Sequence, residues 1–171
     1  MSMNAAPEIA FSSEQGKANY AAARRQYPAQ AIVDLKTMRD NMTHLVSVVG
    51  GPASGTAVMG VVKADAYGHG AVQCVKTMQQ AGVSQLAVAT VEEGVALRQA
   101  GVQMPILILS EPPAECVGTL VEYDLMPSVY TADFALALGE AAAAADRVAR
   151  YHLAIDTGMT RIGVRRQDVV E

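Results

Sequence analysis

This chain is poor in the residues that mark metal, nucleic-acid and membrane proteins. Of its 171 residues two are cysteine, three are histidine and none is tryptophan. Cys74 and Cys116 lie far apart without metal-ligand spacing, which fits free thiols in a reducing compartment. His44, His69 and His152 form no ligand pattern either, so no metal is expected. Basic charge is sparse: the net charge is −4, and Arg24-Arg25 and Arg165-Arg166 are isolated pairs. A nucleic-acid partner is therefore not expected. No apolar run reaches the roughly 18 residues of a membrane span, and the N-terminus lacks a signal-peptide arrangement. These absences predict a cytoplasmic protein with no membrane partner.

What the chain has is apolar content and rhythm. A hydrophobic fraction of 51% is enough for a core of single-domain size. Residues 1–28 stand apart, mixing Ala, Ser, Gln and Glu without a sustained apolar period. They read as a partly disordered N-terminal extension with a helical patch at Gly16–Arg25, ended by Pro28. Ala29–Leu35 then reads as a strand and Lys36–Val49 as a helix, with Ile32, Leu35, Met38, Met42, Leu45 and Val49 at helical spacing. Gly50-Gly51-Pro52 stops that helix.

From Ala57 strands and helices alternate. Strands are predicted at Ala57–Val62, Leu86–Ala89, Ile106–Leu109, Met126–Val129 and Tyr151–Ile155. Helices are predicted at Ala71–Ala81, Glu92–Ala100, Ala114–Glu122 and Ala132–Ala144, with Thr90 and Glu93 forming a capping box. Strands joined by crossovers of this length pair in parallel. The fold class is α/β, a (β/α)8 barrel of which residues 29–171 supply about five βα units. The remaining strands are expected outside this chain. Free apolar edges at the first and fifth strands call for pairing with the missing half or a second copy.

Within that rhythm one residue is out of place. Val61-Val62-Lys63-Ala64-Asp65-Ala66-Tyr67-Gly68-His69-Gly70 sets a lysine at the end of an apolar run read as a strand buried on both faces. The carboxyl end of such a strand is where parallel α/β folds carry their chemistry. An amine held partly out of water loses some preference for the ammonium form, and can condense with a carbonyl. A snorkelling lysine at a strand cap is the plain alternative. Tyr67, four residues on, could fold back over the same loop.

This stretch resembles the pyridoxal-phosphate (PLP) binding signature of the alanine racemases. A second signature of that family comes later in the chain, as Asp156-Thr157-Gly158-Met159-Thr160-Arg161-Ile162-Gly163-Val164. The resemblance runs from about Ala31 to about Val170. It implies a PLP-dependent racemase that interconverts L- and D-alanine, supplying D-alanine for peptidoglycan. By position, Lys63 would form the Schiff base with PLP and act as one acid/base group. Tyr67 would contact the cofactor phosphate. Arg161 would face the cofactor's phenolic oxygen and the substrate carboxylate, acceptors suited to a planar guanidinium fork. His69 reads as a loop-fixing residue.

The family also implies a homodimer, a C-terminal β-domain, and a tyrosine from the partner subunit that serves the opposite substrate face. None of these lies in this sequence, so the chain by itself is expected to be inactive. The chain departs from the family at Ala154, where many members place a lysine that orients the arginine. Serine or broad-specificity racemases share both signatures and stay open as readings. A non-catalytic PLP-binding or interaction fragment stays open too.

Overall fold

The computed structural model describes residues 13–26 and 31–169. Short apolar segments alternate with helices from Met59 onward, and each strand pairs in parallel with the next. β1 (Met59–Val61), β2 (Gln85–Val88), β3 (Ile106–Ile108), β4 (Met126–Val129) and β5 (His152–Leu153) form one sheet in that order. Gly60 stands opposite Leu86, Leu86 opposite Ile106, Leu107 opposite Met126, and Ser128 opposite His152. A strand order that follows the chain is the result of repeated helical crossovers of one hand. The predicted α/β class and succession of parallel strands hold.

The helices are α1 (Glu14–Gln26), α2 (Leu35–Val48), α3 (Lys63–Gly68), α4 (Ala71–Gln80), α5 (Val91–Gln99), α6 (Val117–Glu122) and α7 (Ala132–Ala144). The core forms where these meet the sheet. Leu86, Val88, Ile106, Ile108 and Val129 are buried from the strands, against Val75, Leu97, Leu120 and Leu138 from the helices. Each such side chain contributes about 1.5–3 kcal/mol relative to exposure. Gly60 lets α4 lie close on β1: a Cβ there would sit 2.9 Å from the Met78 sulfur and 3.2 Å from Val83.

Four expectations change. The first strand is three residues long rather than Ala57–Val62, and it is not buried on both faces, because it is an edge and Val61 is 37% exposed. No strand covers residues 31–35: Asp34 accepts hydrogen bonds from the Lys36 and Thr37 amides and caps α2 instead. The apolar stripe of α2 runs through Leu35, Met38, Met42 and Val46, while Leu45 and Val49 face outward. Leu35 and Val46 are eleven residues apart, three helical turns, so they share the face that packs on α4.

The strand predicted at Tyr151–Ile155 breaks at Ala154. Its amide bonds to the Val129 carbonyl at 2.9 Å, and its carbonyl accepts from Val164 at 2.9 Å. Beyond it, β6 (Ile155–Asp156) leaves the main sheet and pairs with β7 (Val164–Arg165). The helical patch expected at Gly16–Arg25 is present and longer, as α1. The rest of the expected N-terminal extension, at 1–12 and 27–28, lies outside the described residues, as do positions 29 and 30.

Candidate active site

The lysine picked out by sequence stands immediately past β1, as the first residue of α3. The residues after it do not wind as an ordinary helix. Ala64, Asp65, Ala66 and Tyr67 all have φ between 50° and 55°, so the backbone makes one left-handed turn. For L-residues that conformation costs about 1–2 kcal/mol each, and it persists only where the surroundings hold it. The gain is directional: the chain reverses tightly between β1 and α4, with the lysine side chain left at the strand end.

Several hydrogen bonds hold the turn. The Asp65 carboxylate accepts the Ala71 amide at 2.7 Å, closing the turn onto the start of α4. His69 Nδ1 lies 2.8 Å from the Ala66 carbonyl and 3.1 Å from that of Tyr67, so it braces the turn as a donor. That agrees with its reading as a loop-fixing residue. From the next βα unit, Glu93 Oε1 accepts the Ala64 amide at 2.6 Å. The other Glu93 oxygen accepts the Ala89 amide at 2.8 Å, and the expected capping box with Thr90 is formed. Glu111 repeats the pattern two strands away, accepting from the Tyr130 and Thr131 amides and the Thr131 hydroxyl.

Lys63 itself is half-buried, with its Nζ 6.0 Å from the centroid of the Tyr67 ring. Among the described residues the amine makes no hydrogen bond or ion pair. Tyr67 is 59% exposed, its ring presented beside the amine rather than packed in the core. A primary amine and a phenol at one strand end are a donor set that fits an aldehyde bearing an anionic group. The cavity beneath the turn is too small and apolar for such a ligand. It measures about 180 Å³ and is lined by Val62, Val72, Val88 and Leu97, with Asp65 and Glu93 at its side.

Arg161 stands apart from this pair. It is exposed in the loop between β6 and β7, with no hydrogen bond or ion pair among the described residues. The structure brings Lys63 and Tyr67 together and gives Arg161 no contact with either. Its loop is nevertheless ordered by chemistry. Asp156 Oδ1 accepts the Gly158 and Thr160 amides, each at 2.9 Å. Those amides, with Thr160 first, hold the Asp156 carboxyl below the usual carboxylate range. Gly163, at φ +107°, closes the loop: a Cβ there would lie 2.7 Å from the Asp156 amide nitrogen. Ala154 has only a methyl group and cannot orient the arginine.

A family model for the alanine racemase N-terminal domain matches residues 33–171. The chain belongs to the alanine racemase family. The alanine racemase of Halothermothrix orenii is 43% identical over 143 residues, which are 84% of this chain and 37% of that protein. Among solved structures, alanine racemase from the D-cycloserine-producing Streptomyces lavendulae matches with a TM-score of 0.71 at 39% identity. That match covers 80% of this chain and 35% of that one. Alanine racemase from E. faecalis gives 0.70 at 38% identity, over 77% and 35%. The chain spans about a third of the length of the curated relatives it matches.

Family membership accounts for the architecture: the five parallel strands are successive βα units of the alanine racemase N-terminal barrel. It does not account for every residue at the strand ends. Glu93, Asp65 and Glu111 are absent from the sequence-derived site. Only Glu93 had a local signal, as the third residue of a capping box. Nothing in that signal points to an amide 29 residues away.

Proposed function

We propose that this chain supplies the lysine side of the active site of a PLP-dependent alanine racemase, an isomerase that interconverts L- and D-alanine. One observation carries the reading: a half-buried, unpaired Lys63 amine at a strand end, beside the Tyr67 ring. A structural lysine is commonly paired with a carboxylate, and Lys63 makes no ion pair among the described residues. Here Glu93 and Asp65 are both taken by backbone amides.

The residue roles rest on their chemistry. When bound, PLP supplies an electron sink that acidifies the substrate Cα–H. Lys63 would hold the cofactor through Nζ and, once the substrate's own amine has displaced it, the freed amine would take or return the proton at the substrate Cα on its own face. Tyr67 offers its hydroxyl to the cofactor phosphate. Arg161 presents a planar fork to the substrate carboxylate or the cofactor's phenolic oxygen. An inverted centre needs a second acid/base group on the opposite face, which we assign to a tyrosine of a partner subunit in a homodimer. Residues 29–171 then form part of the barrel, and residues 1–28 an extension to it.

A cytoplasmic enzyme providing D-alanine for the cell wall is the setting this reading implies. The relatives' names support the alanine racemase part of this reading. Among the described residues no helix is long and apolar enough to cross a membrane.

The test is covalent trapping. The chain is mixed with PLP, reduced with borohydride, digested and weighed by mass spectrometry. The expected adduct is on Lys63 and is lost in Lys63→Ala. Trapping at Lys17, Lys36 or Lys76 alone would move the cofactor elsewhere and reject this site.

A further inference from the structure

Resting on that reading, we infer that Glu93 is a positioning residue for Lys63. Its carboxylate joins three places: the amide just after Lys63, the end of β2 and the start of α5. The Ala64 amide belongs to the peptide unit that leaves Lys63, so fixing it fixes the Lys63 ψ angle. The direction of the lysine side chain from the strand end is set with it. Among the described residues this is the one side-chain hydrogen bond reaching residues 62–68 from another βα unit. The other braces on the turn, from Asp65 and His69, come from inside it and would move with it.

The chemistry requires a carboxylate. Both oxygens accept backbone N–H groups, Ala64 at 2.6 Å on one and Ala89 at 2.8 Å on the other. Glutamine offers one accepting oxygen and one donating amide, so Glu93→Gln sets an N–H against an N–H at one of the two places. Glu111 provides a remote comparison. It ties the loops after β3 and β4 far from Lys63 along the sheet, with one oxygen on both amides and the other on the Thr131 hydroxyl, an arrangement glutamine can keep.

The full chain and its Glu93→Gln and Glu111→Gln variants are compared by the rate of PLP trapping at Lys63, alongside thermal unfolding. Glu93→Gln should slow trapping by at least about tenfold, the size of one charge-assisted hydrogen bond. Glu111→Gln should stay within about twofold, as expected of a change remote from the lysine. Equal slowing in both variants would show a stability effect and overturn the inference. An undiminished rate in Glu93→Gln would overturn it too, while leaving Lys63 as the cofactor lysine. No Lys63 adduct in the unmutated chain would instead reject the functional reading itself. Should Glu93→Gln fail to fold, amide exchange in the unmutated chain decides. The Ala64 and Ala89 amides should be protected together, and fast exchange at Ala64 alone would overturn the inference.

Discussion

At the carboxyl ends of the strands, side-chain carboxylates accept backbone N–H groups; at the amino ends, arginines donate to backbone carbonyls. Asp65, Glu93, Glu111 and Asp156 make up the first set. Arg98 leads the second, with Nε on the Tyr123 carbonyl at 2.9 Å, Nη1 on those of Val102 and Met104, and Nη2 on that of Asp124. Arg147 joins it through the carbonyls of Val121 and Glu122. The division comes from the topology. After β1, β2, β3 and β4 the chain passes from strand end to helix start, exposing unpaired N–H groups. Before the next strand a helix ends, exposing unpaired C=O groups. The two rims differ: at one, arginines tie the turns that precede strands, and at the other, carboxylates tie a turn beside an amine that makes no ion pair among the described residues.

The largest expected effect tests the free amine. Lys63→Ala should abolish trapping of PLP while moving the unfolding free energy by no more than about 1 kcal/mol, since the amine loses only its place over the Tyr67 ring. A large loss of stability would show that Lys63 belongs to the structural class after all.

At the opposite rim the expectation reverses. Arg98→Met leaves carbonyls of the α5–β3 and α6–β4 turns without their donor, at a cost of about 2–4 kcal/mol in chemical unfolding. Partial burial already pushes the Arg98 guanidinium below its ordinary value. PLP trapping at Lys63 in the folded variant should be unchanged. A variant that kept its stability and lost trapping would erase the division between rims.

Arg161 sharpens the comparison, being an exposed arginine in the loop that Asp156 ties. In the whole protein, Arg161→Lys should lower kcat/KM for alanine racemisation by about 1.5–3 kcal/mol of transition-state stabilisation, because lysine lacks the planar fork. Unfolding should barely change. Unaltered kinetics would remove Arg161 from the site.

The smallest effect concerns pH. The Asp156 carboxyl titrates below its unfolded value of about 3.9. Its hold on the 157–160 loop is therefore complete above that value and is lost as pH falls through the lower folded one. Exchange of the Gly158 and Thr160 amides, corrected for intrinsic rates, should quicken only below about pH 4. Asp156→Asn should remove that dependence. Protection that persisted unchanged to lower pH would mean another group holds the loop.

Much of this was readable from the chain. The strand at Met126–Val129 and the helix at Ala132–Ala144 coincide with β4 and α7, because an alanine-rich run has high helix propensity and Thr131 caps its start. The strand end bearing Lys63 was legible as well, since a charged residue closing an apolar run has few other places to go. The misplacements share a cause. Leu45 and Val46 are both apolar neighbours, and only the position of α4 decides which one turns inward. The run Tyr151–Ile155 looks continuous, and only the competing partners Val129 and Val164 split it at Ala154.

By itself the sequence determined the alternation of strands and helices, the parallel pairing, and a lone lysine at a strand end beside a tyrosine. These are set by short-range spacing, which side-chain periodicity and helix caps record directly. Tertiary structure alone decided the left-handed turn at 64–67 and the use of Glu93 to hold it. No local preference favours four L-residues in that conformation. Asp65 and His69 hold it from within the loop, and Glu93 holds it from the neighbouring unit.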